Sequence, residues 1–198
     1  MATATTVPAK TATVPSKALP GREIKVVNIV VSASLGHDIP LEKMAATLSN
    51  TEYNPEQFPG LVIRIKEPKT SALIFSSGKI VCTGARSMDK VYESIDKIIK
   101  SLEKINIKIK VRPVVKIQNI VASGRVGMDL NLNTLAMKLE NTEYEPEQFP
   151  GLVYKLAEAK ATFLLFSNGK VVCTGTKSEA EVHLALDKLI ENLKKIVK

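Results

Sequence analysis

The 198-residue sequence predicts an α+β fold: two similar lobes related by a pseudo-twofold axis, each a curved antiparallel sheet with helices on one face. Two observations lead there. The chain is one unit written twice: shifted by 91 residues, positions 28–105 lie on 119–196 without a gap, and 40 of those 78 positions are identical. Two copies are too few for a solenoid. Within each copy, β-type runs bounded by turn signals alternate with one short and one long segment of helical periodicity. The two half-sheets are expected to join into one continuous sheet.

Each copy opens on a strand, "IKVVNIVVSASL" in the first and "VVKIQNIVASGRV" in the second. "PLEKMAATLSN" and "NLNTLAMKLEN" follow as short helices, with Leu41, Met44, Ala45 and Leu48 at helical spacing. A loop, "NTEYNPEQFPG" or "NTEYEPEQFPG", leads into "LVIRIK" and "ALIFSS" in the first copy. A Ser-Gly or Asn-Gly pair then marks a two-residue hairpin turn into "KIVCTGAR" or its mate. Ser87 and Ser178 are N-caps for the long helices. Val91, Ile95, Ile98, Ile99, Leu102 and Ile105 form the apolar stripe of the first; Val182, Leu186, Leu189, Ile190, Leu193 and Ile196 form that of the second.

Composition narrows the function classes. No apolar run approaches the roughly 20 residues of a membrane span. "MATATTVPAKTATVPSKALPG" has no apolar core of a secretory signal and reads as a flexible tail over residues 1–21. Cys82 and Cys173 stand apart from any Cys/His cluster, which argues against a metal site and for buried free thiols. His37 and His183 are isolated, with no acid/base or nucleophile set around them, so catalysis is not expected. Net charge is +8, but residues 28–105 hold ten Lys/Arg against nine Asp/Glu, and residues 119–196 nine against ten. The excess sits in the tail and in "INIKIKVRPVVKIQ", where Lys108, Lys110, Arg112 and Lys116 face no acid in the sequence.

A sheet covered on one side normally alternates apolar-in and polar-out. Here Ile29, Val31, Ile74 and Cys82 fall on the helix-facing parity. The other parity carries Val30, Leu73, Phe75, Val81 and Thr83, then Val121, Leu164, Phe166, Val172 and Thr174, with Asn28 and Asn119 near the centre of each half. A face this apolar marks a binding surface, or one covered by a second copy of the chain or by the tail. Arg64 and Lys79, with Lys155 and Lys170, frame it symmetrically. An apolar, basic-rimmed, twofold surface suits the DNA minor groove. Asn can donate to adenine N3 and thymine O2, whereas a guanine N2 amine would meet apolar side chains and go unsatisfied. Salt-dependent binding to an A·T-rich duplex separates this from a protein or lipid scaffold.

The duplicated "QFPGLV", "EPKTSALIFSSGKIVCTG" and "LLFSNGKVVCTG" segments, with "QNIV", resemble the TATA-binding protein family across residues 22–198, in its short archaeal form. The resemblance implies a saddle made of a ten-stranded antiparallel sheet with helices on its convex face, divided into lobes 22–108 and 109–198. It implies a general transcription initiation factor without enzymatic activity or cofactor, acting at the nucleoid in the cytoplasm of an archaeal cell. Phe58 with Phe75, and Phe149 with Phe166, match the family's intercalating phenylalanines, and Asn28 and Asn119 its minor-groove asparagines. Val30, Leu73, Val81 and Thr83, then Val121, Leu164, Val172 and Thr174, match the groove lining. Arg64, Lys69 and Lys79, then Lys155, Lys160 and Lys170, match the phosphate contacts. Glu145, Glu147 and Gln148 match the surface that binds transcription factor B, through which RNA polymerase is recruited. Only the second loop places three acids together, Glu143, Glu145 and Glu147, because Asn54 stands where the second copy has Glu145. Without DNA, self-association is the alternative cover for the apolar face.

Overall fold

The computed structural model describes residues 23–196; the expected tail, residues 1–21, lies outside them. The first copy runs β1 (Glu23–Ser34), α1 (Leu41–Thr47), β2 (Thr51–Glu52), β3 (Gly60–Ile65), β4 (Thr70–Phe75), β5 (Lys79–Ala85) and α2 (Met88–Glu103). The second runs β6 (Lys116–Arg125), α3 (Leu132–Lys138), β7 (Thr142–Glu143), β8 (Leu152–Leu156), β9 (Ala161–Leu165), β10 (Lys170–Thr176) and α4 (Glu179–Ile196), with a 3-10 turn at Ala157–Ala159. All ten strands form one antiparallel sheet in the order β2-β3-β4-β5-β1-β6-β10-β9-β8-β7. That order is a mirror about the β1–β6 pair. Ile29 lies opposite Ile120, Asn28 opposite Val121, and Val30 opposite Asn119, so the pseudo-twofold axis passes beside the Ile29–Ile120 pair.

The β1–β6 register skips Val27 on one strand and Gln118 on the other, two positions equivalent between the copies. A second irregularity sits at Gly84 in β5 and Gly175 in β10, with φ of +99° and +98°. Extra residues of this kind bend a strand and increase its twist, and they curve the ladder into a saddle.

The core lies between the sheet and the helices. Ile29, Val31, Ile63, Ile74, Ile80 and Cys82 meet Val91, Ile95, Ile98 and Leu102 of α2; Ile120, Ala122, Phe163, Leu165, Val171 and Cys173 meet Val182, Leu186, Leu189 and Leu193 of α4. Each large side chain buried in this way contributes about 1.5–3 kcal/mol, and truncating Ile98 or Leu189 to Ala would cost about 2–5 kcal/mol. The long helices start where their caps direct. Ser87 Oγ accepts from the Lys90 N–H at 3.4 Å and Ser178 Oγ from the Glu181 N–H at 3.2 Å. The short helices end at Leu48 and Leu139, which are extended and return the chain to the sheet edge.

Two expectations need correction. The hairpin turns are longer than two residues: Ser76–Gly78 between β4 and β5, and Phe166–Gly169 between β9 and β10. Only their glycines have positive φ (+77° and +73°), so the turn is not of the two-residue primed kind, which wants both central residues there. The basic linker is also not free of acids: Arg112 pairs with Asp96 at 2.8 Å, and its guanidinium lies 4.9 Å from the centre of the Tyr92 ring. These contacts strap the linker to α2.

Candidate nucleic-acid interface

The sheet face turned away from the helices is open. Val30, Leu73, Val81 and Thr83, with Val121, Leu164, Val172 and Thr174, all lie on it and are half-buried among their neighbours. Val62 opposite Leu73, and Val153 opposite Leu164, complete the apolar surface. Sequence reasoning did not single these two out, although Val62 stands two residues from Arg64 and shares its parity.

At the middle of this face sit Asn28 and Asn119. They lie on the two central strands, hence near the centre of the whole sheet rather than of each half. Their side chains are fixed by the neighbouring strand. The Gly84 N–H donates to Asn28 Oδ1 at 2.7 Å, and the Gly175 N–H to Asn119 Oδ1 at 2.8 Å. A backbone N–H can only donate, so the oxygen must face it and the amide nitrogen must turn away. Each Nδ2 donates to a threonine hydroxyl, Thr83 at 3.0 Å and Thr174 at 2.9 Å, leaving a second N–H for an acceptor on the open face. The glycine is required twice here: φ is positive, and a Cβ at either position would meet a backbone oxygen at 2.9 Å.

The phenylalanines pair within each copy. Phe58 and Phe75 have ring centres 5.9 Å apart at 62°, and Phe149 and Phe166 6.0 Å apart at 69°, both edge-on. Phe58 and Phe149 are 43% and 42% exposed, so these rings stand out of the core. The Pro-Gly after each explains how. A Cβ on Gly60 would sit 2.7 Å from the Phe58 ring, and one on Gly151 would sit 2.6 Å from that of Phe149. The ring lies on bare backbone, held by the turn in which the Phe58 N–H bonds the Asn54 carbonyl and the Phe149 N–H that of Glu145.

Arg64, Lys69, Lys79, Lys155, Lys160 and Lys170 are all exposed. Arg64 and Lys155 are already engaged. Arg64 makes a two-pronged pair with Glu52, at 3.0 and 3.2 Å, and Lys155 makes a single contact with Glu143 at 2.6 Å. The Arg64 guanidinium, hydrogen-bonded and charge-paired to Glu52, holds that carboxyl below the usual carboxylate range. Glu143 therefore belongs to the sheet face rather than to the acidic loop, where only Glu145 and Glu147 are left beside Gln148. All three are exposed, and among the described residues neither acid forms an ion pair. In the first copy Asn54 Oδ1 caps its own turn by accepting from the Glu56 N–H at 3.2 Å, so the Asn54/Glu145 difference changes local bonding as well as charge.

Burial pushes the Cys82 and Cys173 thiols up to about 11, which leaves them protonated and inert near neutral pH. Among the described residues no group of three or more His, Cys, Asp or Glu is placed to hold a metal ion. No helix among them is long and apolar enough to cross a membrane.

The family model described as "Transcription factor TFIID (or TATA-binding protein, TBP)" matches residues 23–105 and again 114–196. The chain is 53% identical over 171 residues to the TATA-box-binding protein of Methanosphaera stadtmanae, covering 86% of this chain and 93% of that one. It is 51% identical over 174 residues to that of Methanocaldococcus jannaschii, covering 88% and 95%. Among solved structures, Methanococcus jannaschii TBP superposes with a TM-score of 0.83 at 50% identity, covering 88% of this chain and 99% of its own.

Proposed function

The chain belongs to the TATA-binding protein family, and from that premise we propose that it is a general transcription initiation factor of archaeal type. It binds the minor groove of the A·T-rich TATA box in promoters, kinks the DNA by phenylalanine insertion, and recruits transcription factor B and, through it, RNA polymerase. The family is one of DNA-binding transcription factors, and no catalytic role is assigned. The working place is the nucleoid, in the cytoplasm of an archaeal cell. Residues 22–108 and 109–198 are the two lobes, one for each half of the site.

The observation that carries this reading is the pair of oriented amides at the centre of an apolar face. Asn28 and Asn119 each have an N–H left over after their bonds to Thr83 and Thr174. In the minor groove the acceptors at that depth are adenine N3 and thymine O2. Val30, Leu73, Val81 and their mates offer a guanine N2 amine nothing to bond, so a G·C pair costs an unsatisfied donor, about 1–3 kcal/mol. Preference for A·T pairs needs no more than this.

The two phenylalanine pairs act at the ends of the face. Each exposed ring, backed by its partner at about 6 Å, replaces stacking lost at an opened base step. This family is itself the reference case for that mode of bending. Arg64, Lys69, Lys79, Lys155, Lys160 and Lys170 take phosphates at the groove rims. For Arg64 and Lys155 a phosphate competes with Glu52 and Glu143, and the Arg fork keeps a geometry that Lys lacks. Glu145, Glu147 and Gln148 project away from DNA and present an acidic surface to a basic protein partner. Without DNA, the same apolar face is where two copies would associate.

A gel shift on a TATA duplex against a G·C-substituted duplex of equal length tests the reading; equal affinity for both would overturn it. Bending is tested separately. Phe149→Ala and Phe166→Ala reduce energy transfer between dyes at the two DNA ends, and an unchanged bend in both would sink the wedge assignment.

A further inference from the structure

Resting on the minor-groove reading, we propose that Lys25, Arg125 and Lys116 are additional phosphate-binding residues. They form two basic clusters, one at each end of the central strand pair, that grip the DNA backbone on both sides of the groove at its middle. None of the three lies in a motif that pointed to DNA, and Lys116 was visible only as part of a basic linker.

The placement follows from register. Lys25 lies opposite Ser123 and Glu23 opposite Arg125 in the β1–β6 ladder, and Arg125 lies opposite Lys170 in the next. Ser123 shares the open-face parity of Asn119 and Val121, so Lys25, Arg125 and Lys170 stand on the open face together. They line one depression at this end of the central strands. At the other end of the same two strands, Lys116 lies opposite Ser32, and Ser34 opposite Lys79. Lys116 and Lys79 line a second depression, with Arg112 from the linker. Lys25 and Lys116 are equivalent between the copies, 91 residues apart. Arg125 has no basic counterpart, because its mate is Ser34.

The bulges make this arrangement. Val27 and Gln118 are each skipped in the central register. Without the extra residue, Lys25 would fall on the parity of Ile29 and point at the helices. With it, the odd-numbered Lys25 shares a face with the even-numbered Asn28. The irregularity that curves the sheet thus also delivers a cation to the far edge of the groove.

One carboxylate intrudes. Glu23 forms an ion pair with Lys25 and lies opposite Arg125, so it offsets part of the cluster in the free protein. The clusters supply affinity and centring rather than sequence choice, since phosphates carry no base identity. The central strands cross the groove, and their ends are where its rims must run if the asparagines sit on its floor.

The test is the salt dependence of binding to an A·T-rich duplex, read by fluorescence anisotropy. Removing one bound phosphate lowers the slope of log K against log salt by about 0.9. Lys25→Gln with Arg125→Gln should therefore lower the slope by about 1.8, and Lys116→Gln by about 0.9. Glu23→Gln should tighten binding. The preference for A·T over G·C should not change in any of them. A slope unchanged in both Lys variants, with normal A·T preference, overturns this inference and leaves the function reading standing. Wild-type protein without A·T preference overturns the function reading itself, and tight binding with no salt dependence overturns both.

Discussion

Changing Asn28 or Asn119 to Asp separates folding from binding at a single atom. The substitution keeps the shape and the oxygen that takes the Gly84 N–H at 2.7 Å or the Gly175 N–H at 2.8 Å. The second oxygen replaces Nδ2 and can only accept, so the Thr83 or Thr174 hydroxyl, which in the parent also lies 3.2 Å from Oδ1, donates its one hydrogen bond to the carboxylate. The neutral bond from Nδ2 is lost, while the bonds from the glycine N–H and the threonine hydroxyl become bonds to an ionised acceptor, worth about 1.5–3 kcal/mol against about 0.5–1.5 for neutral ones. Thermal stability at pH 7 should be unchanged or slightly higher. On DNA the outward N–H is gone, and a carboxylate faces the lone pairs of adenine N3 or thymine O2. Losing one hydrogen bond and leaving a buried charge unsatisfied together cost roughly 3–4 kcal/mol, a loss of about 100–1000-fold in affinity. Anisotropy titration of the labelled duplex reads the second quantity, and calorimetric melting the first. A melting temperature lowered by several degrees would show that the amide serves the fold. Affinity within threefold of wild type would remove both asparagines from the interface.

Glu145→Arg should leave DNA affinity intact and weaken recruitment of transcription factor B, checked by gel shifts with and without that factor; equal loss of both would refute the division of the loop. Thr176 Oγ1 is buried with no hydrogen-bond partner among the described residues, and the first copy has Ala85 at the equivalent place. Thr176→Val keeps the shape and should stabilise the chain by about 1–2 kcal/mol, raising the midpoint of a urea melt; a lower midpoint would mean that a water serves the hydroxyl. Burial pushes both thiols up to about 11 in the folded chain, from the ordinary thiol value of 9.0. Above pH 9 the unfolded chain releases protons that the folded chain keeps. The stabilisation is therefore complete below about pH 9 and declines up to about pH 11. Replacing both cysteines with Ala should flatten that decline in denaturation curves taken at pH 8 and pH 10.5.

Much of the fold was legible because its signals are periodic. The 91-residue self-match gives the two lobes, and alternation in the runs around Ile74 and Cys82 separates the core face from the open one. Ser87 and Ser178 mark their helix starts. What escaped depends on relations between strands. Nothing local in "VVNI" says that Val27 is skipped, and with it goes the knowledge that Lys25 shares a face with Asn28. The ion pairs of Arg64 with Glu52 and Lys155 with Glu143 join residues 12 apart across a hairpin, visible only once register is known. Glu143 accordingly read as part of an acidic loop. Val62 and Val153 carry no charge or repeat signal of their own and show their place only through the strand beside them. The glycines after Pro59 and Pro150 were legible as turns, but their second duty, bare backbone under an aromatic ring, needs coordinates.

The register at the seam between the lobes has one property more. Asn28 meets Val121 and Val30 meets Asn119, and Asn28 and Val30 are themselves the repeat equivalents of Asn119 and Val121. Ile29 meets Ile120, its own equivalent, and the skipped residues Val27 and Gln118 exchange in the same way. Each strand thus offers its partner the edge that the partner offers back, which is the rule of an isologous dimer interface. A polypeptide consisting of the second repeat alone, residues 109–196, carries everything this seam asks of either side. It should pair with a copy of itself through β6, and sedimentation would find it at twice its monomer mass. The tether of residues 104–115 then makes an encounter between two molecules into one within a single chain.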